Sequence, residues 1–96
     1  MLELHPGAAQ DLGDAFRFYR HEAGQAVARR FLEEFARVAR LLGKFPELGT
    51  PTDAGRRTYP LTGFPYSLIS KADPVRLRVL VLRHQSRDPA HGGHRR

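Results

Sequence analysis

The sequence predicts an α+β fold in which a helical hairpin packs on one face of a mainly antiparallel four-stranded sheet. Two patterns in the chain predict this class. The first half carries two long apolar stripes of helical period, and the second half carries three short runs with strand-like composition. Another strand-like run precedes the first helix. The expected order is therefore β-α-α-β-β-β, with the helices segregated on one side of the sheet.

The first two predicted elements are a short strand and a helix. Residues 2–5 alternate apolar and polar side chains, and Pro6-Gly7 ends the run. Apolar residues then recur at three- and four-residue steps and form one stripe: Ala8, Leu12, Ala15, Phe16 and Tyr19. Asp11 and Asp14 lie in the early turns, where carboxylates suit the helix dipole. Gly24 marks the expected end of this helix.

The second predicted helix carries a wider apolar stripe. Its main positions step by four and three: Val27, Phe31, Phe35, Val38, Leu42 and Phe45. Pro46 ends the helix because proline cannot continue the hydrogen-bond pattern. A linker of about four residues separates the two helical patterns, which predicts an antiparallel hairpin. The charged side chains on the opposite side of this helix indicate a solvated face.

Three strand candidates follow a loop rich in proline and glycine. They comprise residues 56–61, 66–71 and 75–84. The last run is apolar on both sides over its second half, so we expect it to be central in the sheet. Strict alternation along this run predicts two faces. One face would hold Leu77, Val79 and Val81, and the other would hold Arg76, Arg78, Leu80 and Leu82.

The net charge of the chain lies entirely in its second half. Residues 1–50 contain seven Lys or Arg and seven Asp or Glu, whereas residues 51–96 contain nine and three, a surplus of six positive charges. Such a segregated basic field attracts phosphates or an acidic protein partner. We therefore expect a macromolecular partner of negative charge.

Composition also restricts the class of protein. The chain has no cysteine, which excludes disulfides and thiolate chemistry. No run reaches the ~18 apolar residues that a membrane span needs. We expect a cytoplasmic protein without membrane association, cofactor or metal site. Its 96 residues suit one domain, predicted at residues 1–89, followed by a flexible basic tail at residues 90–96.

Four short motifs at these spacings are similar to those of a known family. They are the P-x-x-G-x-P segment at residues 46–51, the basic start of a strand at residues 55–57, the F-P-Y unit at residues 64–66, and the H-x-x-R-D-P ending at residues 84–89. Together they resemble the RelE/ParE family of bacterial type II toxins, from Leu4 to about Pro89. The F-P-Y unit and the ending look closest to the ParE branch.

The resemblance implies a toxin that a cognate antitoxin holds inactive. In this family the RelE branch cleaves messenger RNA in the ribosomal A site, and the ParE branch poisons DNA gyrase. The ParE-like motifs favour gyrase as the target. The alternatives are a ribosome-dependent endoribonuclease and a nucleic-acid-binding module without toxic action. The expected antitoxin is acidic and partly disordered, and it requires an exposed apolar patch on the toxin.

The candidate site residues lie on the strands and at the end of the last one. RNA cleavage needs a base, an acid and a cation that stabilises the charged phosphorane. His84 and Arg87 are the candidate catalytic residues, because an imidazole moves protons near neutral pH and a guanidinium clamps phosphate. The candidate target-binding residues are basic: Arg56, Arg57, Arg76, Arg78 and Arg83.

Purely structural explanations of several of these residues remain open. His84 at a strand end is also explained as a packed structural histidine. Arg56 and Arg57 would equally suit a solvated edge strand, where charge blocks aggregation. For Phe64 and Tyr66 we favour packing in the core beneath the turn.

Overall fold

Residues 2–85 form two α-helices on one side of a mixed five-stranded sheet. The computed structural model describes residues 2–85. The elements in chain order are β1 (Leu2–Leu4), α1 (Pro6–Ala23), α2 (Gln25–Lys44), β2 (Thr50–Pro51), β3 (Arg56–Pro60), β4 (Tyr66–Ala72) and β5 (Leu77–His84). The strand order is β1-β5-β4-β3-β2, with only β1 and β5 parallel among these pairs. The predicted fold class and the central position of the last strand are confirmed.

The extra strand, β2, lies in the segment that we predicted as loop. It is two residues long and pairs Thr50 with Thr58 and Pro51 with Arg57. The proline and glycine around it hide so short a strand from pattern analysis. Gly49 is required here, because its φ is 97° and a Cβ would lie 2.7 Å from the Thr58 carbonyl oxygen.

The helical hairpin turns on a single glycine. His5 caps α1, since its Nδ1 accepts a hydrogen bond from the Gly7 amide at 2.9 Å, and Pro6 follows as the first helical residue. Gly24 separates α1 from α2 and has a φ of 92°. The linker is therefore shorter than the predicted four residues, because one glycine with positive φ reverses the chain. Neither helix among residues 2–85 is long and apolar enough to cross a membrane.

The main core lies between the helices and the sheet. Ala8 and Ala15 are buried on α1, where their small side chains let this helix approach β5 closely. From α2, fully buried Phe31, Val38 and Leu42 fill the space above the sheet. The sheet contributes Leu68, Leu77, Val79 and Leu82 to the same cluster.

An aromatic cluster closes one end of the core. It consists of Tyr19, Phe31, Phe64 and Tyr66, whose ring centroids lie 5.0–6.2 Å apart, mostly edge to face. Such contacts add to the free energy gained from burial. Phe64 and Tyr66 pack in or against the main core, as we predicted. Burial raises the pKa of the Tyr19 hydroxyl, and the neighbouring Tyr66 raises it further.

The turn that carries Phe64 is tied to α2 by Glu34. Its carboxylate accepts a hydrogen bond from the Thr62 amide at 2.6 Å and two from the Arg37 guanidinium, at 2.7 and 2.8 Å. The Arg37 hydrogen bonds are the main cause of the lowered pKa of Glu34, and the Thr62 amide also contributes. These bonds position the F-P-Y unit over the helices.

A β-bulge between β4 and β5 changes the predicted faces of the last strand. Ile69 pairs with Val81, but the next residue, Ser70, pairs with Val79, so Leu80 is an extra residue of β5. Leu82 consequently lies in the main core, whereas Leu80 and Val81 form a second buried cluster with Ile69. Strict alternation was therefore wrong for Val81 and Leu82. We call the side of the sheet away from the helices, which holds this second cluster, the far face.

Parts of the predicted domain lie outside the described residues. These are Met1 and residues 86–96, which include Arg87 and the predicted tail at residues 90–96. The domain limit at residue 89 stays a prediction.

We expect Phe31→Ala to lower the free energy of unfolding by about 3–5 kcal/mol, because it leaves a cavity at the centre of the core. Phe45→Ala is the matched control, since Phe45 is 57% exposed; it should cost less than about 1 kcal/mol. Urea denaturation monitored by circular dichroism measures both. Equal losses in the two variants would contradict this placement of the core.

Candidate functional site

His84 lies at the end of β5 on the side that faces the helices. It pairs with Tyr66, and the two rings meet edge to face with centroids 5.0 Å apart. Both rings line a groove of about 340 Å³ between α1 and the last half of β5. We call it the α1–β5 groove; its lining residues are Asp11, Asp14, Ala15, Phe18, Tyr66, Leu82 and His84.

Asp11 is the residue of this groove that sequence analysis missed. It is 8% exposed, and its Oδ2 accepts a hydrogen bond from the Leu82 amide at 3.2 Å. Satisfying this buried strand amide anchors α1 to β5. The signal was its spacing, since Asp11 falls between Ala8 and Ala15 on the buried stripe of α1. We had instead assigned it to the helix dipole, although it lies beyond the first turn.

The α1–β5 groove is acidic. Two carboxylates line it, and no lysine or arginine of residues 2–85 does. Outside the lining, Arg17 forms an ion pair with Asp14 at 2.6 Å, and both side chains are more than half exposed. Among residues 2–85, the lining therefore offers a phosphate group two carboxylates and an imidazole, and none of the cations that phosphoryl chemistry needs.

The far face carries the cations instead. Arg56 pairs with Lys71 across β3 and β4, and Lys71 pairs with Arg78 across β4 and β5. Because directly paired residues point to the same side, these three form one line across three strands, which we call the cationic row. Arg83 also lies on the far face, because it neighbours the core residue Leu82.

Ion pairs engage two of the predicted target-binding arginines. Glu3 of β1 contacts Arg78 at 2.9 Å and Arg76 at 3.0 Å. Asp73 also lies 3.6 Å from Arg76, and hydrogen bonds from the Val75 and Arg76 amides lower the pKa of its carboxyl. These pairs are partly exposed, so each contributes little to stability and remains able to exchange partners.

Arg57 is placed apart from the other predicted target-binding residues. It faces the helix side of β3, and its Nη1 donates hydrogen bonds to the carbonyl oxygens of Glu47 and Gly49, at 2.9 and 3.2 Å. These bonds hold the P-x-x-G-x-P segment against β3. Of the predicted set, the structure therefore gathers Arg56, Arg78 and Arg83 on the far face, with Arg76 beside Glu3 at its edge.

Exposed apolar side chains gather at one end of the molecule. Leu2 pairs with Leu77, and Leu77 pairs with Ala72, at the level where β5 begins and β4 ends. Ala72 lines a groove of about 580 Å³ with the segment 44–48. We call this region the apolar end; its exposed large side chains are Leu2, Leu4, Phe45, Leu48 and Val75. Contiguous exposed apolar patches are typical of surfaces that bind partners, and the docking patch expected from the sequence stays a prediction.

Comparison with known proteins identifies a family. Residues 2–89 match the sequence model of the family described as "ParE toxin of type II toxin-antitoxin system, parDE". No curated protein sequence matches the chain. A solved structure titled "Chromosomal ParDE TA system from P. aeruginosa" is similar at 21% identity. The match covers 86% of this chain and 92% of that one, with a TM-score of 0.77, and at this identity it shows a shared fold.

We expect Asp11→Ala to lower the free energy of unfolding by about 1–3 kcal/mol, because it leaves the buried Leu82 amide without this acceptor. Asp11→Asn keeps an acceptor oxygen and should lose less. Asp14→Ala, at an exposed neighbouring position, should change stability by less than about 0.5 kcal/mol. Chemical denaturation of the three variants measures the differences. An Asp11→Ala variant as stable as Asp14→Ala would show that Asp11 does not anchor α1.

Proposed function

The chain belongs to the ParE toxin family of type II toxin–antitoxin systems, and on this premise we propose that it is a toxin that binds and poisons DNA gyrase. Poisoning of gyrase would arrest bacterial growth, and a cognate antitoxin would neutralise the protein in the cytoplasm. Binding alone is sufficient for this action. It requires a rigid scaffold and complementary surfaces, and it does not require an acid, a base and a cation at one point.

Within residues 2–85, the separation of His84 from Arg56, Arg78 and Arg83 supports this proposal over RNA cleavage; Arg87, the other candidate catalytic residue, lies outside the described residues. His84 lies in the acidic α1–β5 groove, whereas Arg56, Arg78 and Arg83 lie on the far face. A ribonuclease would need these groups around one phosphate. Among residues 2–85, the sheet stands between His84 and the cations Arg56, Arg78 and Arg83. Arg57 lies on the helix side, where its guanidinium donates hydrogen bonds to the carbonyl oxygens of Glu47 and Gly49. His84 instead supports the aromatic cluster through Tyr66.

The apolar end is the surface that we propose for the antitoxin. Its exposed Phe45 and Leu48 flank a groove that can take apolar anchors from a segment that orders on binding. Lys44 and Glu47 both line this groove and balance each other, so the basic second half of the chain supplies the attraction for an acidic segment. The partner is therefore expected to be an acidic, partly disordered segment of the antitoxin, with apolar residues at its contact points.

We expect excess protein to abolish supercoiling by purified gyrase and to accumulate cleaved plasmid. In a reconstituted translation reaction it should leave messenger RNA intact. His84→Ala should retain gyrase inhibition within about threefold of a His21→Ala control, because poisoning by binding requires no proton transfer from an imidazole. Gel assays of plasmid topology and primer extension on the messenger measure the two activities. Supercoiling that is untouched by excess protein would eliminate gyrase as the target.

We expect Phe45→Ala to weaken antitoxin binding by roughly 30-fold, since a buried aromatic anchor contributes about 2 kcal/mol or more. Phe18→Ala is the matched control, because Phe18 is 55% exposed against 57% for Phe45 but lines the α1–β5 groove. Calorimetric titration with the antitoxin encoded beside the toxin measures both affinities. A larger loss in Phe18→Ala would move the docking surface to the α1–β5 groove.

A further inference from the structure

The cationic row is an unfavourable arrangement for the folded chain by itself. Arg56, Lys71 and Arg78 stand directly opposite one another on adjacent strands, which lie about 4.8 Å apart. Like charges in this position repel and lower the stability of a sheet. One carboxylate continues the row, because Glu3 pairs with Arg78 across β1 and β5. The row thus holds three basic side chains and one acidic side chain, and the carboxylate of Glu3 is shared between Arg78 and Arg76.

We propose that the far face binds the phosphate backbone of double-stranded DNA. A polyanion laid across the row would relieve the repulsion and release the counterions that accompany the nucleic acid. Arginine suits this role, because its guanidinium donates two parallel hydrogen bonds to a phosphate. Lys71, the middle member, is exposed, and Arg83 on the same face extends the positive field along β5.

The chemistry of the far face favours DNA over an acidic protein. Its apolar residues Ile69, Leu80 and Val81 are 8%, 0% and 0% exposed, so they offer no anchor to a partner. Protein interfaces derive most of their affinity from buried aromatic and apolar anchors, whereas protein–DNA interfaces are more polar and much more positively charged. Among residues 2–85, the exposed large apolar side chains lie elsewhere, at the apolar end and on the helices at Phe18 and Leu32.

The absence of stacking groups favours a duplex over a single strand. Within residues 2–85 the aromatic side chains of the sheet, Tyr59 and Tyr66, pack against the main core on the helix side. Single-stranded nucleic acids are held by aromatic side chains on which their bases stack. A face with cations alone contacts phosphates, fixes no base sequence and binds DNA with strong salt dependence.

The test compares two substitutions that change the net charge equally. Lys71→Glu places a carboxylate between Arg56 and Arg78. Arg29→Glu makes the same change of charge at an exposed position of α2, away from the far face. Fluorescence anisotropy with a short labelled duplex, repeated over a range of salt, measures affinity. Lys71→Glu should lower the affinity by about tenfold or more and reduce the slope of log affinity against log salt concentration by about one. The affinity of Arg29→Glu should stay within about threefold of that of the unmodified protein.

Thermal unfolding is the control measurement that shows whether the variants fold. Lys71→Glu replaces two repulsive pairs by attractive ones, so its melting temperature should equal or exceed that of the unmodified protein. Lys71→Gln removes the charge without adding another and provides a second variant, expected to lose a smaller part of the affinity. Loss of DNA binding with retained stability supports a direct contact. DNA binding that is unchanged in either Lys71 variant overturns it.

Competing ligands distinguish the sources of negative charge. The same titrations use a single-stranded RNA and poly-glutamate of matched charge. We expect the duplex to bind at least severalfold more tightly than either competitor. Equal affinity for the RNA overturns the assignment to duplex, and equal affinity for poly-glutamate marks the far face as a site for an acidic protein. These measurements need no gyrase, so they succeed or fail independently of the proposed target.

Discussion

One extra residue in the central strand determines where the chemistry of this protein lies. Side chains alternate between the two faces of a strand, so each inserted residue exchanges the faces of all those that follow. Leu80 is that insertion in β5. Without it, Leu82 and His84 would lie on the far face with Arg78, and Arg83 would point into the helices. The bulge therefore fills the core with Leu82, turns His84 towards Asp11 and leaves Arg83 among the cations.

The periodic parts of the fold could be predicted from the sequence. The apolar stripes on both helices and the turn residues between the strands are local signals that tertiary packing did not override. The aromatic cluster was partly visible too, because Phe31 lies on the stripe of α2 and Tyr66 follows the Pro65 turn. Arg57 and the segment around Gly49 acquired their positions through hydrogen bonds between residues eight and ten positions apart, which no helical or strand period reveals.

The candidate site could be predicted only in part, for a physical reason. Residues 79–82 are apolar without interruption, so the run shows no alternation from which a bulge could be read. Strict alternation therefore assigned Val81 and Leu82 to the wrong faces, and it gave no basis for placing Arg83 and His84 on opposite sides of the sheet. Asp11 had a readable signal, a polar residue on a buried helix stripe. The two faces of the sheet consequently divide the molecule into an acidic groove and a cationic far face, with the apolar end as a third surface for a partner.

The bulge is tested most directly by methyl-to-methyl nuclear Overhauser effects in a protein labelled at leucine, valine, isoleucine and alanine. The Leu82 methyls should contact Ala15 of α1, since both line the α1–β5 groove. The Val81 methyls should contact Ile69 and Leu80 and show no contact with either helix. Contacts from Val81 to the helices, with Leu82 on the side of Ile69, would contradict the bulge and return His84 to the face of the arginines.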